Sequence, residues 1–193
     1  MVLQDSAIIT APDPAAAEKI RTATAQISTP EIVIPERLGT VLDIAEVRGP
    51  AALAYTSDKL FQPAPLGAST IEQFPAGDPA LNELLESSPE ADRDESGLDE
   101  ITSPAFSLRS AGSLVSAAGH QLWPNHTAHI SVFTAPDQRG HGLARTTASA
   151  AAQHALTSGL IPQWRARTPE SRRVATTLGF HELGTQLSFR LQP

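Results

Sequence analysis

The chain has 193 residues, of which 40% are hydrophobic and 18% are charged, and this composition suits one compact domain with extensions. It contains no cysteine, which excludes disulfides, thiolate zinc sites and thiol nucleophiles. No stretch approaches the roughly 18 consecutive apolar residues of a membrane-spanning helix, so a membrane is not an expected partner.

Charge is distributed unevenly along the chain. The net charge of −7 combines −12 over residues 1–104 with +5 over residues 105–193. The acidic half is either a solvated face or a surface for a cationic partner, and the basic half suits a phosphate-bearing ligand. Nucleic acid is not an expected partner, because the basic residues form no runs interleaved with aromatic ones. The N-terminus lacks the positive region of a signal peptide, and we expect a cytoplasmic protein.

The N-terminal part of the acidic half shows few strong patterns. Residues 1–30 are expected to form a poorly ordered leader, in which the Ala-rich stretch 15–26 can form a short helix. Residues 31–77 form a segment of uncertain structure that begins with a predicted short strand at 31–35.

The rest of the acidic half contains one clear helix signal. A helix is predicted over residues 79–87, where Asp78 can cap the N-terminus and three leucines share one face. Residues 89–100 are strongly acidic and are predicted to form a solvated loop.

From residue 105 onward the pattern is regular. Two short strands joined by a Ser-Ala-Gly turn predict a hairpin, and Gly159 suits the left-handed position after a helix. The order β-β-β-α-β-α-β indicates an α/β fold with a mixed sheet, in a domain that spans residues 78–193. The predicted strands are 105–109, 113–118, 128–134, 161–166 and 183–191, and the predicted helices are 143–158 and 170–178.

The turn between the third of these strands and the following helix carries the chemistry. Gly140 and Gly142 bracket the start of an Ala-rich helix, and glycine lets backbone N–H groups approach a ligand closely. The helix N-terminus adds unpaired donors and partial positive charge, and Arg139 adds a permanent cation. The turn is therefore a candidate phosphate site, with an ordinary β-to-α turn as the alternative. It matches neither a P-loop nor the G-x-G-x-x-G dinucleotide fingerprint.

The residues of this turn resemble the pyrophosphate loop of the GNAT superfamily of acyl-CoA-dependent N-acetyltransferases. The family pattern R-x-x-G-x-G/A is similar to the run Gln138-Arg139-Gly140-His141-Gly142-Leu143-Ala144. Downstream, residues 159–166 are similar to the family's next strand, and residues 171–180 to its helix-to-strand signature ending in Leu-Gly-Phe. The resemblance covers about residues 105–191, is looser from about residue 78, and does not reach the first seventy residues.

The resemblance implies both a fold and a reaction. The fold would be a GNAT-like mixed, largely antiparallel central sheet flanked by helices, with a splayed strand pair forming the CoA cleft. The pyrophosphate of acetyl-CoA would lie on the N–H groups of residues 139–144, with Gln138 also contacting the cofactor. Its pantetheine arm would run beside Val132, Phe133 and Thr134. A backbone N–H of that strand would polarise the acyl carbonyl. An amine acceptor, either a small molecule or a protein amino group, would attack directly, without a covalent enzyme intermediate.

The residues for proton transfer depart from the family pattern. Many relatives carry a general-acid Tyr where this chain has Ala175, and the only tyrosine, Tyr55, lies outside the matched region. Ser171 is the nearest alternative hydroxyl, acting either as an acid or as a structural hydrogen-bonding group at the helix start. Thr168 stands where the family often has Asn, and both Thr168 and Ser171 are expected to contact the cofactor.

The general base is equally open. Relatives often place Glu or Asp on the strand before the loop, whereas this strand offers His129 and Ser131, on one face with Phe133. A histidine can accept a proton near neutral pH, but His129 can equally be exposed or packed. A water-mediated base, or an amine that arrives neutral, would make both residues unnecessary. Trp164 either lines the acceptor pocket or fills the core, and no metal site is expected.

Two functions stay open. The first is an N-acetyltransferase for an unknown amine, and the second is a GNAT-fold module that binds acyl-CoA as a sensor or scaffold without turnover. The missing Tyr and acidic base favour the second, and only turnover separates the two. Residues 1–75 form either an interaction or dimerisation segment, which would give a homodimer, or a decayed partner domain.

Overall fold

The computed structural model describes residues 1–3, 5–66 and 70–192, apart from the side chain of Ala91. The strands are β1 (Val2–Leu3), β2 (Ser6–Ala7), β3 (Ile44–Tyr55), β4 (Glu72–Phe74), β5 (Ala105–Ser110), β6 (Ser113–Trp123), β7 (Thr127–Thr134), β8 (Ile161–Ala166) and β9 (His181–Leu191). The helices are α1 (Pro14–Thr24), α2 (Pro35–Leu38), α3 (Pro79–Glu86), α4 (Glu90–Ser96), α5 (Leu143–Thr157) and α6 (Pro169–Thr177). Short 3-10 turns lie at Thr29–Val33, Leu98–Glu100 and Pro136–Gln138.

Internal contacts divide the chain into two units that interleave along the sequence. The smaller unit comprises Met1–Ala54, Arg165–Pro169 and the chain from Glu182 onward. The larger unit comprises Tyr55–Trp164 and Glu170–His181. The sequence analysis predicts a different division, in which a leader (1–30), a middle segment (31–77) and a C-terminal domain (78–193) follow one another along the chain. That division stays a prediction.

The larger unit is built on a sheet with the strand order β8-β7-β6-β5-β4. Strands β4 to β7 pair in antiparallel fashion, and β7 and β8 are parallel. Ser116 bonds to Thr147 of α5, whereas the next residue, Ala117, packs in a cluster with the leucines of α3. Because successive strand residues point to opposite faces, α5 and α3 cover opposite sides of the sheet. The mixed, largely antiparallel sheet flanked by helices is therefore confirmed.

Two tight hairpins connect the middle strands of this sheet. Ala111 and Gly112, between β5 and β6, have φ values of 49° and 86°. Asn125 and His126, between β6 and β7, have φ values of 60° and 57°. Left-handed residues in such turns suit the twist of the strands that they connect. The predicted hairpin is confirmed, and β6 extends to Trp123, beyond its predicted end.

The helices of the larger unit follow from local sequence signals. The carboxylate of Asp78 accepts the N–H of Ala80 at 2.9 Å, so Asp78 caps α3 as predicted. Helix α5 presents alanines to the sheet, which lets the two backbones approach closely, and Gly159 follows this helix with a φ of 71°, as predicted. The fully buried alanines of α5 are Ala148, Ala151, Ala152 and Ala155.

The chain turns from α6 towards β9 at Gly179, whose φ is 79°. A Cβ atom at this position would overlap the carbonyl oxygen of Leu60, which belongs to the loop after β3. The carbonyl oxygen of Gly179 accepts a hydrogen bond from the hydroxyl of Thr56 at 2.9 Å, and that of Leu178 accepts the N–H of Gln62 at 3.0 Å. Position 179 therefore requires glycine for two reasons: the left-handed backbone conformation, and the close approach of the loop that contains Leu60.

Two predictions for the acidic half are wrong. Residues 31–35, predicted as a strand, lie in the 3-10 turn Thr29–Val33 and the start of α2, where Glu31 accepts the N–H of Ser28 at 2.9 Å in a capping box. Residues 89–100, predicted as a loop, contain α4, whose first turn is acidic as the helix dipole favours. Leu98, which follows α4, is 1% exposed and anchors this segment in the core.

The smaller unit has the strand order β2-β1-β9-β3. The carboxylate of Asp13 accepts the N–H of Ala16 at 2.8 Å and so caps α1, which confirms the helix predicted at 15–26. Ile20 of α1 and Leu38 of α2 pack with Leu187 of β9 in the core of this unit.

Candidate functional site

The predicted phosphate loop leads from β7 into α5. After the 3-10 turn Pro136–Gln138, Gly140 and Gly142 take left-handed conformations, with φ values of 83° and 78°, and α5 begins at Leu143. A Cβ atom at either glycine would meet nothing within 4 Å. The backbone conformation, and not crowding, is therefore what favours glycine at both positions.

The loop leaves a series of backbone donors unpaired. Among the described residues, no acceptor is found for the N–H groups of Gly140, His141, Gly142, Leu143, Ala144 and Arg145. The N–H groups of Gln138 and Arg139 are used within the turn, where they donate to the carbonyl oxygens of Ala135 and Pro136. Unpaired N–H groups at a helix N-terminus, reinforced by the helix dipole, form an anion-binding site.

Arg139 places its guanidinium beside these donors. Its Nε donates to the carbonyl oxygen of Thr134 at 3.3 Å, and its Nη2 donates to the carboxylate of Asp92 in α4 at 2.7 Å. The side chain is 51% exposed. The neighbouring His141 is exposed, and its Nδ1 lies 3.3 Å from the carbonyl oxygen of Gln138. The loop therefore carries a cation that an incoming ligand can reach.

A cluster of three hydroxyls holds the strand that precedes the loop. Ser116 of β6 is fully buried, and its Oγ lies 2.9 Å from Oγ1 of Thr134 and 3.1 Å from Oγ1 of Thr147. The same Oγ donates to the carbonyl oxygen of Phe133 at 3.0 Å. The cluster thus ties the end of β7 to the second turn of α5, on both sides of the loop.

Strands β7 and β8 separate after a short parallel ladder. They pair at Thr127↔Ile161, Ala128↔Pro162 and His129↔Gln163, and in the described chain the ladder ends at this last pair. On its other edge, β7 stays paired to β6 as far as Thr134. The backbone of Val132, Phe133 and Thr134 is therefore open on the β8 side, where an extended ligand can bind as a further strand would.

Polar side chains meet at the end of this ladder. Nδ1 of His129 lies 3.1 Å from Oε1 of Gln163, and Nε2 of Gln163 donates to the phenolic oxygen of Tyr55 at 2.7 Å. The ring of Trp123 stacks on that of His129, with centroids 4.3 Å apart and planes 13° from parallel. His129 is partly exposed and Gln163 is buried.

The hydroxyls of Ser131 and Ser171 lie apart. Ser131 is 3% exposed and is covered by Gly97, where an added Cβ would lie 3.1 Å from Ser131 Oγ. Oγ of Ser171 accepts the indole N–H of Trp164 at 3.0 Å. Because Trp164 directly follows Gln163 on β8, Ser171 and His129 lie on opposite faces of the sheet. Thr168 is exposed and belongs to the smaller unit.

Trp164 and Ala175 are both buried. Trp164 is 2% exposed and meets Phe180 edge to face, with ring centroids 5.5 Å apart, so it fills the core of the larger unit. Ala175, at the position of the family's general acid, is 3% exposed.

Two histidines, one in β6 and one in α5, lie next to each other. His120 of β6 is 4% exposed, and its ring centroid is 5.4 Å from that of His154 in α5. Burial, with a smaller contribution from the charge of His154, lowers the pKa of His120 from 6.5 to about 4. Among the described residues, neither Nδ1 atom has a hydrogen-bond partner. His120 therefore stays neutral near pH 7.

The loop, the open strand and the flanking helices match a known family. A family model described as GNAT acetyltransferase matches residues 105–185. Residues 105–185 belong to the GNAT superfamily. GNAT proteins generally use an acyl-CoA as co-substrate. The loop with the unpaired N–H groups is the stretch for which the sequence resemblance predicts pyrophosphate binding.

Solved GNAT structures share the fold. A GCN5-related N-acetyltransferase from Kribbella flavida is 18% identical with a TM-score of 0.61, and the alignment covers 89% of this chain and 72% of that one. An acetyltransferase from the GNAT family of Colwellia psychrerythraea is 16% identical with a TM-score of 0.57, over 95% and 76% of the two chains. A GNAT-family protein from Novosphingobium aromaticivorans is 19% identical with a TM-score of 0.59, over 76% of this chain and 65% of that one. No curated protein matches the sequence.

Metal and membrane features are not found in the part of the chain that the structure describes. There, no group of three His, Cys, Asp or Glu side chains is placed to hold a metal ion. No helix in the same residues has the length and apolar character needed to cross a membrane.

The sequence alone did not reveal Tyr55 and Gln163 as site residues. Tyr55 lies 108 positions before Gln163, outside the part that resembles GNAT proteins, and Gln163 was noted only as part of a strand. The available signal was that Gln163 is a polar residue between Pro162 and Trp164 in a predicted strand, and a polar residue predicted to be buried needs a hydrogen-bonding partner.

Proposed function

We propose that this protein is an N-acetyltransferase that transfers the acetyl group of acetyl-CoA to an amine. The observation that carries this proposal is the run of unpaired N–H groups from Gly140 to Arg145, beside the guanidinium of Arg139. These groups fit a pyrophosphate, which needs several donors and positive charge at close range.

The residues of the larger unit would divide the work of the reaction. The loop from Gly140 to Ala144 and Arg139 would hold the pyrophosphate, and the open edge of Val132–Thr134 would hold the pantetheine arm by strand-like bonds. The bound thioester supplies an activated acyl group, and a backbone N–H of β7 would stabilise negative charge on its carbonyl oxygen. His129 is the candidate base at the end of the β7/β8 ladder. The hydroxyl of Ser171, on the opposite face of the sheet, accepts the indole N–H of Trp164.

We infer a cationic amine as the acceptor. His129 shares its face of the sheet with Phe133, which packs against the leucines of α3. Helices α3 and α4 on this side carry the exposed carboxylates of Glu83, Glu86 and Glu90. Negative charge around the approach would attract an alkylammonium ion, which a base must deprotonate before attack. Turnover of only anionic or neutral acceptors in a substrate panel would contradict this inference.

A second candidate function is an acyl-CoA sensor without turnover. Ala175 favours it, because a methyl group at the position of the family's usual acid cannot protonate a leaving thiolate. Both functions require the same loop, so binding does not separate them.

Two measurements test these proposals together. Calorimetry should show acetyl-CoA binding that weakens about 10-fold in Arg139→Ala, from loss of a charge-assisted contact. Gly142→Glu should weaken it further, because it adds a carboxylate at a backbone position with a φ of 78°. Arg48→Ala, which removes a 79% exposed guanidinium in the smaller unit, is the matched control and should bind normally. Unchanged affinity in both loop variants would show that the loop is wrongly assigned.

Turnover then decides between the two functions. A thiol-release assay over a broad panel of amines should show CoA production with at least one acceptor. Saturable binding without CoA release across the panel would favour the sensor.

A further inference from the structure

Four side chains form one connected assembly at the end of the β7/β8 ladder. His129 contacts Gln163 through a hydrogen bond and Trp123 through its ring face, and Gln163 contacts Tyr55. All four residues lie in the larger unit. The assembly lies beside the point where the two strands separate, which is where the proposed function needs a proton acceptor.

The structure orients the amide of Gln163 with Nε2 towards Tyr55 and Oε1 towards His129. Because Nε2 of Gln163 donates to the phenolic oxygen at 2.7 Å, Oε1 is the atom that faces His129. A carbonyl oxygen only accepts hydrogen bonds, so with the amide in this orientation a hydrogen bond over the 3.1 Å between Oε1 and Nδ1 of His129 requires the proton on Nδ1. In a neutral imidazole the other nitrogen, Nε2, is then unprotonated and can accept a proton.

The ring of His129 is also held in its plane. Trp123 stacks on it almost in parallel, and the indole N–H of Trp123 donates to Oε1 of Gln121 at 2.7 Å. Gln163 is 6% exposed, so water competes little for its amide. The tautomer and the ring plane are therefore both set by neighbouring side chains, and a base placed in this way needs no rearrangement before it reacts.

We propose that Gln163 and Tyr55 are positioning residues that hold His129 as the Nδ1–H tautomer, with Nε2 as the proton acceptor. The proposal rests on the proposed acetyltransferase function for its reaction. In that reaction Nε2 of His129 takes one proton from the alkylammonium ion, and the neutral amine nitrogen then bonds to the acyl carbon. The carbon–sulfur bond breaks with its electron pair going to sulfur, and the sulfur takes the second proton and leaves as the thiol, while the first proton stays on His129. The imidazolium then releases this proton to water.

The direct test reads the tautomer without any turnover. Nitrogen-15 spectra of the full-length protein labelled at histidine should show the Nδ1–H form for His129, assigned by its loss in His129→Gln. Gln163→Leu should abolish the preference for this tautomer, and Tyr55→Phe should weaken it. Gln153→Leu, which removes an exposed amide from α5, should leave the spectrum of His129 unchanged. An Nε2–H tautomer in the parent protein, or one unaffected by Gln163→Leu, would overturn the proposal.

Kinetics provide the second readout. Gln163→Leu should lower kcat by about 10- to 100-fold, as loss of an orienting partner does for other functional histidines, with little change in the KM for acetyl-CoA. Gln163→Glu keeps an acceptor for Nδ1–H and should restore activity. Because its carboxylate stabilises the imidazolium, the acidic limb of its pH profile should move to higher pH. A purely packing role for Gln163 predicts no such movement, and an unmoved limb would count against the proposal.

The acetyltransferase function and the positioning of His129 can be refuted independently. The expected tautomer together with no turnover on any amine would refute the acetyltransferase and leave the positioning of His129 supported. Turnover that is unaffected by Gln163→Leu would refute the positioning role and leave the acetyltransferase in place.

Discussion

Arg139 and Asp92 form a 2.7 Å ion pair between the phosphate loop and α4. The guanidinium that would bind the pyrophosphate of the ligand is therefore already in contact with a carboxylate of α4. This helix lies on the face of the sheet where we propose that the acceptor amine binds. A phosphate that binds Arg139 must either displace Asp92 or share the guanidinium with it. Both side chains are partly exposed, so the pair itself is worth less than about 1 kcal/mol.

Removing the competing charge should strengthen ligand binding. We expect Asp92→Asn to lower the Kd for acetyl-CoA by about two- to fivefold, because an exposed ion pair of this kind stabilises by at most about 1 kcal/mol. Calorimetry at low and high salt should show that the gain shrinks as salt screens the pair. Asp94→Asn, an exposed carboxylate on the same helix, is the control. Equal gains in both variants would indicate a general charge effect and not the contact with Arg139.

The hydroxyl cluster on both sides of the loop should contribute measurably to stability. Thr147→Val keeps the side-chain shape but removes a fully buried hydroxyl, which leaves Ser116 Oγ with one partner fewer. We expect a loss of about 1–2 kcal/mol in the free energy of unfolding, measured by urea denaturation. Thr146→Val removes a hydroxyl that, within the described part of the chain, bonds only to the carbonyl oxygen of Gly142, at 3.4 Å, and this change should cost clearly less. Equal losses in both variants would contradict a special role for the cluster.

The buried histidine pair should make the protein sensitive to acid. Burial and the neighbouring His154 lower the pKa of His120 to about 4 in the folded state, against an ordinary value of 6.5. Below pH 6.5 the unfolded chain takes up a proton that the folded chain does not bind, so stability falls as the pH drops from about 6.5 to 4. The loss from this one group is on the order of 3 kcal/mol.

Denaturant unfolding between pH 7 and pH 4.5 tests this expectation. His120→Leu should flatten the dependence of the free energy of unfolding on pH, since leucine cannot be protonated. His181→Gln, which replaces an exposed imidazole, should retain the slope of the parent protein. An identical slope in the His120→Leu variant would show that another group controls the acid response.

The regular part of the fold could be predicted because its signals are local. The glycine at 159, the alternation in β7 and the Asp78 cap each act within a few residues, and the structure has them where the pattern indicated. Helix α4 was missed because its seven residues, EADRDES, present no apolar face. Its position depends on Leu98 beyond its end and on the contact of Gly97 with Ser131, and neither is visible as a periodicity.

The same distinction applies to the site. The phosphate loop is one contiguous run from Gln138 to Ala144, so its residue types and spacing could be recognised directly. The environment of His129 is assembled from distant parts of the chain, since Tyr55 reaches Gln163 across 108 positions. A hydrogen bond of that kind leaves no pattern in a single sequence, and only the fold brings its partners together.

Gly179 has a consequence for how this protein can vary. The space that a methyl group would need at that position is occupied by the carbonyl of Leu60, and the surrounding bonds to Thr56 and Gln62 prevent the loop from withdrawing. A saturation library at position 179 should therefore return glycine alone among functional clones, whereas positions 140 and 142, where an added side chain meets open space, should also return asparagine. The glycine of the Leu-Gly-Phe signature is thus required by the packing of two chain segments and not by catalysis. We therefore expect the signature to persist in descendants that have lost catalytic activity.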